Sequence, residues 1–289
     1  MSATDAFLAH RNLLFTVAYE MLGSAVDAED VLQEAWLRWA AVEPGVVRDE
    51  RAYLVRITTR LALNRMRTLA RRRESYVGPW LPEPLVTTPD VADDVTLADS
   101  VSTAMLLVLE TLSPTERAVF VLREVFDVGY DEIADAVERT PAAVRQIAHR
   151  ARAHVEARRP RVSVTSGELT AVVDRFLAAA STGDIQGLLD VLAPEVVLLT
   201  DGGGLKKAAL RPIQGREKVV RFLAAVAGEG SERVDVVLLN GAPALRLWLG
   251  GAVEAVVTLV VADGLVSALY LVRNPEKLGS LDREAALRR

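Results

Sequence analysis

The apolar residues of this chain keep two different periods, and the change at Pro160 limits the fold more than any other feature. Before it they recur at helical spacing: Leu13, Leu14, Val17, Ala18 and Met21, then Val31, Leu32, Ala35, Trp36 and Trp39. After it come β-rich runs at 196–200, 234–239, 245–249, 253–261 and 265–272. Asn240-Gly241, Gly250-Gly251 and Asp263-Gly264 punctuate these runs as hairpin-type turns, and helices are expected at about 167–180, 184–192 and 215–227. An all-helical first part followed by an α+β part with a curved antiparallel sheet makes a multidomain protein, and 289 residues suit two or three domains.

The helical part is itself divided. From Val77 to Asp94 the chain is rich in proline and acid and contains Gly78-Pro79-Trp80-Leu81-Pro82-Glu83-Pro84. Proline at that density removes the donors that helices and ladders need, which predicts an extended linker. Helical pattern resumes at Leu97–Leu112, and Ser113-Pro114-Thr115-Glu116 supplies an N-cap, a first-turn proline and a capping-box glutamate. Helices follow at roughly 114–126, 130–137 and 141–157. The expected division is a helical domain at 1–75, a linker at 76–100, a second helical domain at 101–162 and the α+β domain at 166–289.

Bulk composition narrows the class. The longest strongly apolar run, near Ala255–Ala262, is far too short to span a membrane, and no basic segment followed by an apolar one opens the chain. With no cysteine there are no disulfides and no Cys-ligated zinc; a cytoplasmic protein with no membrane contact, metal or cofactor is expected. The net charge of −5 hides strong segregation. Arg51–Arg73 holds eight arginines and no acid, and Pro141–Arg161 holds six arginines and two histidines against Glu156 alone. Two basic helices in an acidic protein imply two contacts with a polyanion.

The second basic helix completes a helix-turn-helix pattern over Tyr130–Arg152. Ile133, Ala134 and Val137 form one apolar face, Val144, Ile147, Ala148 and Ala151 the other, with Thr140-Pro141 as cap and first turn. Arg145, Gln146, His149, Arg150 and Arg152 lie off that face and suit base edges and phosphates. Glu138 stands where such units often place a turn glycine. The plainer alternative is a solvated basic helix in a small bundle.

Asp27-Ala28-Glu29-Asp30-Val31-Leu32-Gln33-Glu34-Ala35-Trp36 sets carboxylates on one helix face and apolar residues on the other. Alone this is an acidic surface. In this order, followed by the segment Arg51–Arg67 and the helix-turn-helix, it resembles extracytoplasmic-function sigma factors. The resemblance implies core RNA polymerase as partner, through its largest-subunit coiled coil and its flap, with Asp27, Glu29, Asp30, Gln33 and Glu34 in the contact. It implies that Arg56, Arg60, Asn64, Arg65 and Arg67 take the minus-ten element of promoter DNA, with Arg71–Arg73 on the duplex backbone. Arg145, Gln146, His149, Arg150 and Arg152 would read the minus-thirty-five element. Arginines suit melting because they neutralise phosphates while pockets accept unstacked bases. Polymerase does the chemistry, so no catalytic residue is implied; an anti-sigma factor is allowed but not indicated.

Residues 166–289 resemble the SnoaL-like, nuclear transport factor 2-like cone that a subgroup of this family carries. The shared marks are Trp80-Leu81-Pro82-Glu83-Pro84, Asp201-Gly202-Gly203-Gly204 and Asn274-Pro275-Glu276-Lys277-Leu278. Three glycines after a strand permit close approach by another chain, and a proline-flanked tryptophan calls for a docking partner. The expectation is that the linker and both DNA-binding domains are held against the cone through these segments, setting the separation of the two domains. Such cones also occur as enzymes and ligand sensors, so a small ligand stays open. Histidines lie only at 10, 149 and 154, Tyr270 is the cone's sole tyrosine, and Asp201, Asp235, Glu254 and Asp263 are scattered. A helix-turn-helix repressor with a ligand-sensing cone is the other rival, but it has no use for 27–36 and 51–67.

Overall fold

The structure, a computed structural model, describes residues 3–43, 45–159, 166–227 and 232–289. The expected junction at 160–165 lies outside the described residues.

Three helices come first: α1 (Ala3–Leu22), α2 (Ala25–Ala40) and α3 (Glu50–Arg73). Gly23, at φ +67°, ends α1, and Ser24 caps α2 by accepting from the Asp27 amide at 3.2 Å. The inner face of α2 buries Ala28, Val31, Leu32, Ala35 and Trp39. Trp36 meets Phe7 edge-on at 5.3 Å. The periodicity that predicts the helices is thus also what packs them.

The linker differs from the extended stretch expected over Val77–Asp94. It is extended only to Leu85, then forms strand β1 (Val86–Thr87) and helices α4 (Pro89–Asp93) and α5 (Val95–Val101). The proline density ends at Pro84, so Val86 is free to enter a ladder with Leu239, and Pro89 sits at the first turn of a helix, where it costs nothing. Next come α6 (Thr103–Leu109), α7 (Pro114–Phe120), α8 (Tyr130–Val137) and α9 (Pro141–Arg158). The capping box on Ser113 and Glu116 is formed. The helix expected to 126 widens into a π-turn at Val121–Val125, which keeps Val121, Leu122 and Val125 buried together.

The cone contains α10 (Ser166–Thr182), α11 (Ile185–Val191), β2 (Leu192–Asp201), β3 (Ile213–Gln214), α12 (Arg216–Ala227), β4 (Arg233–Leu239), β5 (Ala242–Leu249), β6 (Ala252–Ala262), β7 (Leu265–Val272) and β8 (Glu284–Ala285). The sheet order is β3-β2-β7-β6-β5-β4-β1-β8. All three hairpin dipeptides have both residues at positive φ, as their turns require. The expected antiparallel sheet is mixed, because β2 pairs with β7 and β1 with β8 in parallel. A parallel neighbour needs a long return path, here the whole β3-to-β6 excursion, which local periodicity cannot reveal.

Apolar packing crosses the expected domains. One continuous core runs from Ala6 to Val155 through both helical units and takes in Leu287 from beyond β8. A second joins α10–α12 to one face of the sheet, with Val172, Phe176, Leu188, Val219 and Leu269. A third lies on the opposite face, where Leu81 of the linker packs with Val256, Tyr270, Leu278 and Leu281. Leu81 is fully buried there, which is worth about 2–3 kcal/mol of transfer free energy.

Candidate nucleic-acid interface

The acidic face of α2 is partly engaged within the chain. Glu29 takes both of its bonds from Arg11 at 2.8 Å, Glu34 takes Arg38 at 2.7 Å, and Asp27 and Asp30 receive Arg65 of α3 at 2.7 and 2.9 Å. Gln33 is exposed. With Asp30 it lies in a stripe bounded by Val26 and Leu37, 59% and 68% exposed, at i, i+4, i+7 and i+11. Those two apolar residues were legible as misfits on an acidic face, though the charge pattern alone draws the eye past them.

On α3, Arg56 lies over the Tyr53 ring at 5.0 Å, and Asn64 accepts from Arg67 at 2.9 Å, both exposed. The bond to Asp27 raises the Arg65 guanidinium above its ordinary range. Arg60 donates to the carbonyls of Asp135 at 2.7 Å and Ala136 at 3.4 Å, at the C-terminal end of α8, and lies 3.6 Å from Glu138. A cation at that end meets the negative pole of the helix. The side chains of Arg71–Arg73 lie outside the described residues.

On α9, Val144, Ala148 and Ala151 are buried and Arg145, Gln146, His149 and Arg150 face solvent. Arg152 is paired with Glu124 at 2.6 and 3.1 Å, and Arg145 lies 5.6 Å from the Tyr130 ring centre. Glu138 occupies the left-handed region at φ 56°, ψ 53°, so the turn does use the conformation that favours glycine.

The third group of residues meets at the Asp201 carboxylate, which is wholly buried at the end of β2. One oxygen accepts from the Leu81 amide at 2.9 Å and the Lys277 ammonium at 2.7 Å; the other accepts from Tyr76 at 2.6 Å and Gly203 at 3.0 Å. Burial and then the bond to Asp201 push the Tyr76 phenol well above its usual range. Asn274 donates to Tyr76 at 2.9 Å, and a Cβ on Gly203 would overlap the Asn274 side chain. Lys277 also stands 4.3 Å over the Trp80 ring, whose far edge would lie 2.7 Å from a Cβ on Gly23. The glycines therefore serve close approach, both in the loop and at the α1–α2 turn.

Glu83 ties this knot to α2. Its carboxylate accepts from the Ala25 amide at 2.7 Å, Ser24 at 3.2 Å and Ser280 at 3.0 Å, so a linker anion sits on the first turn of α2. Pro82 and Pro84 are buried on either side. Asn240 was legible only as a hairpin residue. Its side chain accepts from the Leu85 amide at 3.0 Å and donates to Tyr19 at 2.6 Å and the Val101 carbonyl at 2.9 Å, joining sheet, linker, α1 and α5.

A buried ionic seam lies beneath. Glu20 of α1 accepts from Ser100 at 2.8 Å, its second oxygen has no hydrogen-bond partner among the described residues, and burial raises its carboxyl to about 8. Arg117 of α7, lowered to about 9 by burial, donates to the Glu20 carbonyl at 2.8 Å and pairs with Glu110. Nothing in the helical pattern marks these two positions as charged contacts between elements. Among the described residues no group of side chains could hold a metal ion, and no helix is long and apolar enough to cross a membrane.

Family models match at residues 6–72, Sigma-70 region 2, and at residues 102–155, Sigma-70 region 4. The ECF RNA polymerase sigma factor SigJ of Mycobacterium tuberculosis is 37% identical over 286 residues, 94% of this chain and 91% of its own. SigI of the same species is 32% identical over 96% of each chain. The crystal structure of SigJ superposes with a TM-score of 0.78 at 34% identity, over 96% of this chain and 99% of that one.

Proposed function

The chain belongs to the extracytoplasmic-function sigma factors of RNA polymerase, and from that premise we propose that its cone holds it closed until polymerase engages it. As a sigma factor it binds core polymerase and directs transcription initiation at promoters. In our reading it acts in the cytoplasm, where polymerase is. The α2 face with Asp30, Gln33 and Glu34, bounded by Val26 and Leu37, meets the largest-subunit coiled coil, and the second helical unit meets the flap. Arg56, Arg60, Asn64, Arg65 and Arg67 take the minus-ten strand, and the exposed side of α9 reads the minus-thirty-five element.

Arg60 on the carbonyls of α8 is the observation that carries closure. Elements centred roughly 25 base pairs apart are about 85 Å apart at ~3.4 Å per base pair. Helices in hydrogen-bond contact cannot serve both, so α3 and the helix-turn-helix must part. The linker knot at Asp201, Glu83 and Asn240 opposes that parting. The apolar packing between α10–α12 and the sheet supports a scaffolding role for this domain over catalysis.

Point variants test this better than truncation, which would strip Leu81 and β1 of their partners in the sheet. Full-length Asp201→Ala and the parent chain are compared in transcription with core polymerase on a promoter selected from a randomised library, alongside the fluorescence-measured distance between α3 and α9. Closure predicts a longer distance and more transcription at limiting polymerase. A folded variant with the parent's distance and output would sink it.

A further inference from the structure

A third basic stretch lies in the cone itself: from Lys206 to Arg221 six cations face one acid, Glu217, while the rest of that domain is net acidic. We propose that this stretch is a further DNA-contacting surface, which takes the phosphate backbone of the duplex just upstream of the minus-ten element. The inference rests on the assignment of α3 to minus-ten DNA.

Two of the six cations serve the fold. Lys206 pairs with Glu254 at 2.9 Å and Arg216 donates to the Leu189 carbonyl at 3.4 Å. Lys207, Arg211, Lys218 and Arg221 are exposed, and the last three make no ion pair among the described residues. The loop that carries Lys207 and Arg211 is held in shape: Thr200 bonds both the amide and the carbonyl of Ala209, at 2.7 and 3.1 Å, and Arg273 donates to the Lys207 carbonyl at 3.2 Å.

Its position is set by the linker. Three residues past the end of α3, Tyr76 bonds Asp201; Val77 then faces Gly204, and Gly78 faces Leu210. The loop is therefore fastened beside the end of α3. Trp80 and Glu83 also fix the linker to the α1–α2 turn, so the loop is placed against the first helical unit. A positively charged loop fastened near a helix assigned to DNA fits a polyanion, and phosphate contacts of this kind are sequence-independent by nature. Leu205 and Leu210 are exposed on the same loop, so a polymerase surface is the outcome to be distinguished.

The test uses holoenzyme assembled from core polymerase and the full chain, parent or Lys207→Gln/Arg211→Gln/Lys218→Gln. Promoter affinity is measured against salt, and core affinity separately without DNA. Each lost phosphate contact lowers the slope of log affinity against log salt by ~0.9, so the triple variant should lose about 2–3 from the slope and bind at least about tenfold more weakly near 0.1 M salt. On a fragment without duplex upstream of the minus-ten element, parent and variant should coincide. An unchanged slope on the complete promoter overturns the proposal, as does weakened core binding with the DNA slope intact, which would assign the loop to polymerase. A parent chain that does not bind core at all would instead remove the sigma reading, and the DNA-free arm reports that separately.

Discussion

Helices α3 and α9 carry the same chemistry and stand in opposite states. Arg145, Gln146, His149 and Arg150 of α9 face solvent, whereas α3 spends Arg60 on the α8 carbonyls and Arg65 on Asp27 and Asp30. Position explains this: α9 is an outer helix with one buried edge, while α3 runs between α2 and α8. Under the proposed closure, the helix assigned to the minus-ten element is withheld and the helix assigned to the minus-thirty-five element is left open. Core polymerase would meet a partly committed α2 as well, since its acids hold Arg65.

The largest test of that asymmetry is Asp201→Ala. It leaves the Lys277 ammonium, 9% exposed as a residue, without its counter-charge, and should cost about 3–5 kcal/mol in denaturant unfolding. A stability equal to the parent's would mean that the knot does not hold α3 in place.

Glu20→Gln should act in the opposite direction. The closed seam raises the carboxyl to about 8, so closure binds a proton that the opened chain, near 4.5, releases. Its stability is then greatest below pH 4.5 and falls as pH rises toward 8, by up to about 1.4 kcal/mol per unit. Arg117, lowered to about 9, stays charged across that window, and Ser100, Glu110, Asp99 and Tyr19 also face the seam. The glutamine variant should lose the share of the pH dependence between 5 and 8 that Glu20 supplies, and a slope equal to the parent's would assign the effect elsewhere.

A smaller loss is expected from Asn240→Gly. Glycine tolerates the local φ of 52°, so the change isolates three buried hydrogen bonds and should cost about 1–3 kcal/mol, read by thermal unfolding. If α3 and α9 remain at the parent's distance in that variant, the hairpin is not part of the closure.

Smallest is Glu138→Gly, which relieves a left-handed residue and should add about 1 kcal/mol to the helix-turn-helix. The exposed contact with Arg60 that it removes is worth less, so net destabilisation would show that this contact matters more than its 3.6 Å geometry suggests.

The features legible in the sequence are those whose cause is local. The capping box at Ser113–Glu116, the three hairpin dipeptides, the two apolar periods and the basic faces of α3 and α9 depend on neighbours within a few residues. So does the extended backbone of Trp80–Pro84. Tertiary structure alone decided the rest. The two-residue strands β1, β3 and β8 have no period of their own and exist because a sheet edge was available. Leu287 enters a helical core whose other members come from residues 6–155, and Asn240 turns from a hairpin residue into a junction because Tyr19, Leu85 and Val101 converge on it. Periodicity reports which face of an element is buried; only long-range packing decides against what, and that choice set Arg60 on α8 and Glu20 in a buried seam.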